Sequence, residues 1–240
     1  MKKVLALVLA VLMIVSMCAC SSAKKEDTVE TIKIGLAFPM SGTAAMAGKY
    51  STHGADVLKE ELGGKITVGD KEYPVEFVTM DTEGSEEKTT NVYQKLIEEE
   101  KVIAIVGPDS SKCMLAAAPI AQNAKCPAIT TFGTNTAVTE VGNYIFRACF
   151  IDPYQGEKMA NYAVEKLSAK TAAVFYQTGN DYSEGLMNAF VAKADELGLE
   201  IVDTEAFAEG DKDFKAQMTN IAAADPDVVF APIYYAEPGL

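Results

Sequence analysis

The sequence predicts an α/β protein with two lobes, each built on a doubly wound parallel sheet. From Thr31 onward, short β-branched runs alternate with longer amphipathic stretches, which is the pattern of repeated strand-helix units. One of these runs, Val102–Val106, is almost wholly apolar, as expected of a parallel strand covered on both faces. The units form two series that meet near residues 148–152, and each series predicts one lobe.

The first lobe, residues 32–148, is predicted from four strands and three helices. Helix ends are marked by Ser85, a predicted N-cap, and by Gly63, a residue type that favours helix termination. Gly107-Pro108 separates the third strand from the helix that follows it. In chain order we expect strand 32–38, helix 44–62, strand 75–81, a helix after Ser85, strand 102–106, helix 110–123 and strand 127–131.

The second lobe, residues 149–240, is predicted from three helices and three strands. We expect helix 153–167, strand 172–176, helix 183–197, strand 200–204, helix 213–223 and strand 227–232. Few residues follow the last strand, so the sequence predicts a C-terminally incomplete fold, a fragment that does not bind its ligand tightly. The apolar side chains of Val228, Val229 and Phe230 are expected to lack a covering helix.

The first 20 residues are typical of a lipoprotein signal peptide. Lys2 and Lys3 precede an apolar run, Val4–Val15, that is shorter than the roughly 20 residues of a membrane-spanning helix. The end of this segment, Ala19-Cys20, resembles a bacterial lipobox, which implies lipidation at Cys20 and anchoring to the membrane. A non-lipidated signal cleaved nearby is the alternative. Residues 21–31 predict a flexible tether.

Composition excludes several classes of function. Asp and Glu number 34 against 21 Lys and Arg, and the absence of a basic stripe argues against nucleic-acid binding. A single His53 and the cysteines Cys113, Cys126 and Cys149 have no metal-ligand spacing, so we expect neither a metal nor another cofactor. Free thiols are the main expectation for these cysteines, and a disulfide between Cys113 and Cys126 is the alternative.

Two loops at predicted strand ends suit a small anion. Segments 107–112 and 130–136 each follow a strand and offer backbone N–H donors together with Ser and Thr hydroxyls. In open parallel sheets, ligands bind outside the carboxyl ends of the strands. Either loop alone is explained by helix capping. Together they predict a carboxylate site.

Several motifs resemble the type I periplasmic binding proteins for leucine, isoleucine and valine, and they stand in the same order as in that family. The resemblance extends from Ile32 to Leu240 and implies the two-lobed fold of that family. It rests on Ile34–Gly42; on Val106-Gly107-Pro108 with Ser110-Ser111 and Ala117–Pro119; on Phe146-Arg147 with Asp152 and Gln155-Gly156; on Asp181–Leu186; and on Gly210–Phe214.

The resemblance also implies a function and its residues. The ligand carboxylate would be bound by the hydroxyls of Ser111 and Thr134 and by backbone groups at Phe132. From the second lobe, Tyr182 and Tyr234 would close over the ligand, and Tyr154 would face the cleft. In the family, the acid that binds the ligand ammonium lies beyond Leu240, and Ala47 stands where leucine receptors carry an aromatic residue.

The implied protein is the extracytoplasmic receptor of an ABC importer, with a permease and an ATPase as partners and a small amino acid as ligand. A signalling sensor of the same fold, and receptors for amides, urea or aromatic acids, are alternatives. An α/β hydrolase or transferase is a weaker alternative, because the sequence has neither a Gly-x-Ser-x-Gly elbow nor a Walker A motif. We therefore expect a binding protein and not an enzyme.

Overall fold

Two β-sheets organise the structure. The computed structural model describes residues 30–42, 44–235 and 237–239, and the part from Ile32 onward forms one unit. The predicted signal peptide and the Cys20 lipidation site lie outside the described residues. Within the described ranges, no helix is long and apolar enough to cross a bilayer.

The first sheet has six strands in the order β2-β3-β1-β4-β5-β6. All neighbouring strands are parallel except β2 and β3, which form an antiparallel hairpin. The second sheet has the order β8-β7-β9 and is parallel throughout. The strands are β1 Ile32–Phe38, β2 Lys65–Val68, β3 Lys71–Asp81, β4 Ala104–Val106, β5 Ala128–Thr130, β6 Ile145–Arg147, β7 Thr171–Gln177, β8 Glu200–Phe207 and β9 Val228–Phe230.

The predicted helices are present, with ends shifted by a few residues. The side chain of Ser85 caps its helix as predicted, and Gly63 ends the first helix in the left-handed region at φ 59°. The sequence did not predict β2, β6 or the four-residue helix after β5, because such short elements carry too little periodicity. The helices are α1 Ala45–Leu62, α2 Glu86–Glu98, α3 Ser111–Ala124, α4 Ala137–Glu140, α5 Asp152–Glu165, α6 Asp181–Leu197 and α7 Lys215–Ala224.

The core of the first sheet lies between its strands and helices α2 and α3. Tyr93, Leu96, Ile105 and Met114 are buried there. Gly35 in β1 allows close packing, since a Cβ at this position would lie 2.9 Å from a methyl group of Leu96. Packing on this face therefore holds in place the strands that lead into the predicted carboxylate loops.

The second sheet is covered on both faces, which corrects one expectation. Phe230 of β9 is buried and stacks on Phe190 of α6 with ring centroids 4.2 Å apart, so it does not lack a partner. Val228 is partly buried and packs against the same cluster, so the expectation was wrong for it as well. Val229 points to the other face and is 49% exposed, as the sequence predicts. On that other face, Ile221 of α7 and Phe214, the residue before that helix, belong to a second, smaller cluster of buried residues.

All three cysteines of the described chain are free, so a Cys113–Cys126 disulfide is not formed. The reason is geometric. Helix α3 separates the two residues, and about 12 residues of helix span about 18 Å, far beyond the ~7 Å that a disulfide tolerates between Cα atoms. Burial raises the pKa of both thiols.

The α5–α6 contact provides a stability prediction. A Cβ at Gly156 would lie 2.8 Å from the backbone nitrogen of Phe190 and 2.6 Å from the Cβ of Ala189. Gly156→Ala is therefore expected to lower the free energy of unfolding by about 1–3 kcal/mol, measured by urea unfolding. The backbone of α6 would have to move to accept the added methyl group. The matched control is Gly54→Ala, where an added Cβ meets nothing within 4 Å and helix propensity favours alanine by about 1 kcal/mol. Equal stability of the two variants would contradict the packing described here.

Candidate functional site

The strand order places a topological switch point at the carboxyl ends of β1 and β4. The connection after β1 leads to β2 and β3 on one side of β1, whereas the connection after β4 leads to β5 on the opposite side. The two connections therefore diverge. Ligands of open α/β sheets bind at such a switch point. The loop after β4 begins at this switch point and the loop after β5 lies beside it, and the sequence predicts that these two loops bind a carboxylate.

The loop after β4 depends on a glycine and places two serines at the start of α3. Gly107 has φ 103°, and a Cβ there would lie 2.1 Å from the backbone oxygen of Ala37, so only glycine fits. Ser110 caps α3 by accepting a hydrogen bond from the backbone N–H of Cys113 at 3.3 Å. Ser111 follows as the first residue of α3, is 1% exposed, and accepts a hydrogen bond from the backbone N–H of Asn135 at 3.1 Å.

Asp109 ties this loop to its neighbours. Its carboxylate accepts hydrogen bonds from the Thr131 hydroxyl at 2.6 Å and from the Ser51 hydroxyl at 3.0 Å. Burial raises the pKa of Asp109, and these two hydrogen bonds oppose that shift. One side chain therefore connects the loops after β4 and β5 with helix α1.

The loop after β5 is fixed from within. The Thr130 hydroxyl donates to the backbone oxygen of Pro108 at 2.6 Å and accepts from the backbone N–H of Gly133 at 2.9 Å. The guanidinium of Arg147, at the end of β6, donates to several acceptors of the same loop. These acceptors are the backbone oxygens of Gly133 at 3.0 Å, Asn135 at 2.6 Å and Thr136 at 3.2 Å, and the hydroxyl of Thr139 at 2.7 Å.

The second sheet contributes the aromatic side of the site. Asn180 caps α6 by accepting from the backbone N–H groups of Tyr182 at 3.1 Å and Ser183 at 3.2 Å. The rings of Tyr182 and Tyr234 are stacked, with centroids 5.2 Å apart and planes inclined by 14°. Burial is the main cause that raises the pKa of both tyrosines. The pair offers a rigid apolar surface with hydroxyl groups at its ends.

Three contacts join the elements of the two sheets near the site. The side-chain amide of Asn135 donates to the backbone oxygen of Asp181 at 2.8 Å. Lys112 pairs with Glu209, which follows β8, at 2.9 Å, and with Glu86 at 3.2 Å. The backbone N–H of Asp152 donates to the backbone oxygen of Thr134 at 3.0 Å.

Two buried side chains at this junction lack hydrogen-bond partners among the described residues. They are Thr134, through its hydroxyl, and Asp152, through both carboxyl oxygens. Buried polar groups are paired in the great majority of native structures, so these two unpaired side chains mark the junction as a candidate site. The sequence singles out Thr134 as a ligand residue, whereas Asp152 enters only as part of a family motif.

The six predicted ligand residues form two pairs and two separate, exposed positions. Ser111 and Thr134 lie at adjoining loops, and Tyr182 and Tyr234 form the stacked pair. Phe132 is 58% exposed beside Gly133, with its backbone in the fixed β5 loop. Tyr154 is 55% exposed, packs against Phe150 with centroids 6.2 Å apart, and has the Lys158 ammonium 5.5 Å from its ring.

Asn135 is a site residue that sequence reasoning missed. It follows Thr134 directly and contacts both Ser111 and Asp181. No sequence pattern marks it, because its partners lie 24 and 46 residues away and meet only in the folded chain. Among the described residues, no group of three or more His, Cys, Asp or Glu could hold a metal ion.

Comparisons with known proteins agree with the observed fold. A sequence model of the family described as periplasmic binding protein matches residues 31–234. An amino acid binding protein of Pseudomonas aeruginosa is 31% identical over 209 residues, which are 87% of this chain and 55% of the relative.

Two solved structures are similar to this chain over most of its length. A leucine-binding protein of Thermotoga maritima superposes with a TM-score of 0.78 at 36% identity, over 83% of this chain and 55% of that one. A branched-chain amino acid transporter substrate-binding protein of Streptococcus pneumoniae, in complex with isoleucine, gives 0.80 at 32% identity, over 88% and 59%. The chain thus spans somewhat more than half the length of these relatives.

Proposed function

The chain belongs to the periplasmic binding protein family, and from that premise we propose that it binds a branched-chain or related small amino acid between its two sheets. One observation supports the proposal: Asn135, next to the buried Thr134 hydroxyl, contacts Asp181 of α6, and the next residue, Tyr182, belongs to the stacked tyrosine pair. The hydroxyls of Ser111 and Thr134 suit a carboxylate. The Tyr182–Tyr234 pair suits an apolar side chain.

Closure of two lobes is the proposed mechanism. We take residues 32–148 and 149–240 as the lobes, and residues 148–152 as the hinge between them. Closure would bury the ligand between the lobes. The Asn135–Asp181 and Lys112–Glu209 contacts link the two lobes and so support the proposed closed state. The exposed ion pair is a weak link, of about 0.2–1 kcal/mol. The ligand itself would therefore supply most of the energy of closure.

The proposed biological role is that of an extracytoplasmic receptor that delivers its ligand to an ABC permease and ATPase. The matched relatives support it, since they are described as an amino acid binding protein and a branched-chain amino acid transporter substrate-binding protein. Ligand sensing by the same cleft is the second candidate. Neither role requires a catalytic step, and we propose that the protein is not an enzyme.

A ligand panel tests the proposal. Leucine, isoleucine and valine are titrated into the chain alongside benzoate and leucinamide, and binding is followed by calorimetry and by ligand-observed NMR, which detects weak association. The branched-chain amino acids should bind, and leucinamide, which lacks the carboxylate, should bind at least about tenfold more weakly because it loses charge-assisted hydrogen bonds. Binding of benzoate alone would reassign the ligand to an aromatic acid. Binding of none of these compounds would contradict the proposal.

The membrane anchor is a separate prediction that concerns Cys20, outside the described residues. Two acyl chains give stable anchoring where a single chain holds only marginally. Cys20→Ser is therefore expected to release the protein from the membrane fraction of expressing cells, as judged by fractionation and immunoblotting. If wild type and variant were both recovered as non-membrane protein, the lipoprotein proposal would be wrong.

A further inference from the structure

The carboxyl group of Asp152 is enclosed at the junction of the two sheets. Asp152 is the first residue of α5 and is only 1% exposed. One of its oxygens lies against α6, where a Cβ on Gly185 would come within 2.4 Å of it. A helix N-terminus favours an ionised carboxylate, but among the described residues neither oxygen accepts a hydrogen bond. An ionised carboxylate in such surroundings is strongly disfavoured.

The Thr134 side chain is the polar neighbour that matters. It is 5% exposed, and the Asp152 backbone N–H donates to the Thr134 backbone oxygen at 3.0 Å, which holds the two residues side by side. Burial raises the pKa of Asp152, and the Thr134 hydroxyl is near enough to oppose that shift. Within the described structure, neither the Thr134 hydroxyl nor the Asp152 carboxyl group has a hydrogen-bond partner. Each is therefore available to the other.

The charged groups around Asp152 do not neutralise it. The Arg147 guanidinium lowers its pKa, but the N–H groups of Arg147 are donated to the loop after β5. Asp181 of α6 acts in the opposite direction and raises it. No ion pair to Asp152 forms within the described ranges. The remaining titratable groups that face it are the thiol of Cys149 and the phenols of Tyr182 and Tyr234.

We propose that Asp152 is protonated in the folded protein and that its proton positions the Thr134 hydroxyl for an anionic ligand. The inference rests on the proposed carboxylate site. A threonine hydroxyl has one proton to donate and two lone pairs to accept with. When Asp152 is neutral, its O–H donates to Thr134 Oγ1, and the Thr134 proton is free to point at the ligand carboxylate.

An ionised Asp152 reverses this arrangement. The carboxylate then takes the only proton of the Thr134 hydroxyl, and the ligand meets oxygen lone pairs and a second negative charge. Asp152 is thus a positioning residue that acts through Thr134. Ligand binding and protonation favour each other, and by linkage each raises the affinity of the other by the same factor.

The protonation state is read directly from the side-chain carboxyl ¹³C signal of Asp152, assigned by its loss in Asp152→Asn. Without ligand, this signal should titrate above the ordinary aspartate value of about 3.9. Saturating isoleucine should move the midpoint upward. A midpoint at or below that of an exposed aspartate, or one that isoleucine lowers or leaves unchanged, would overturn the inference.

Variants test the positioning role. Asp152→Asn carries an amide N–H that can donate to Thr134 Oγ1 at any pH, so its isoleucine affinity should show no pH dependence between pH 5 and 8. Asp152→Ala should lose about tenfold in affinity at pH 5, the equivalent of one modest hydrogen bond. Asp70→Asn, in the exposed turn between β2 and β3, is the matched control and should titrate as wild type does.

These experiments distinguish failure of the proposed binding function from failure of the proposed role of Asp152. If no carboxylate ligand binds, the proposed function fails, and the ligand-free ¹³C titration still decides whether Asp152 holds its proton. If isoleucine binds but Asp152→Asn loses as much affinity as Asp152→Ala at pH 5, the positioning role is wrong and the binding function stands.

Discussion

Replacement of Ser111 or Thr134 by alanine is expected to weaken amino acid binding about tenfold to a hundredfold. Each hydroxyl would donate to the ligand carboxylate, and hydrogen bonds to charged groups are worth about 1.5–3 kcal/mol each. Both hydroxyls lie at carboxyl ends of neighbouring parallel strands, and both residues are buried. The loss should be similar for leucine, isoleucine and valine, because the carboxylate is common to all three.

The control for this prediction is Thr134→Ser, which keeps the hydroxyl and removes only a methyl group. It should retain most of the affinity lost in Thr134→Ala. Thermal melting of each variant guards against a folding artefact, since Ser111 also accepts a hydrogen bond from the Asn135 backbone. If both alanine variants bound the branched-chain amino acids as tightly as wild type, Ser111 and Thr134 would have only a structural role.

Phe190→Ala is expected to cause the largest loss of stability, about 3–5 kcal/mol, because it empties a large volume inside the second core. Phe190 is 1% exposed and stacks on Phe230 with centroids 4.2 Å apart. A typical domain has only about 5–15 kcal/mol of total stability. Urea unfolding should therefore show a midpoint shifted far toward zero denaturant, or a chain that is unfolded at the outset.

Val229→Ala is the matched control, since Val229 neighbours Phe230 in the same strand but is 49% exposed. Its loss should stay within about 1 kcal/mol, as for most exposed positions. A Phe190→Ala variant that unfolds like wild type would mean that Phe190 and Phe230 do not form the core of the second sheet.

Sequence periodicity was sufficient to predict most of the fold. The apolar run 102–106 and the Ser85 cap are local signals, and each corresponds to a strand or helix start, with ends shifted by one or two residues. The hairpin of β2 and β3 was missed because β2 is a mostly exposed edge strand of only four residues, too short for its alternation to stand out in the sequence. Phe230 was wrongly expected to lack a partner because its stacking on Phe190 joins residues distant in sequence.

The candidate site was only partly predictable for the same physical reason. Hydroxyl residues at strand ends are visible in the sequence, so Ser111 and Thr134 could be singled out. The bond from Asn135 to Asp181 depends on the relative position of the two sheets, and the approach of Gly185 to Asp152 depends on the packing of α5 against α6. No local sequence pattern encodes either contact. The need for glycine at position 185 becomes apparent only when the Asp152 carboxyl is seen beside it.

Residue-resolved NMR of the chain with isoleucine tests the central claim most directly, because it locates binding even when affinity is modest. The account predicts saturable shifts of backbone amide signals at Ser111, Thr134 and Tyr182, with smaller changes along α7, which lies on the other face of the second sheet. Saturable shifts confined to residues away from the loops after β4 and β5, or no shifts at any isoleucine concentration, would contradict it.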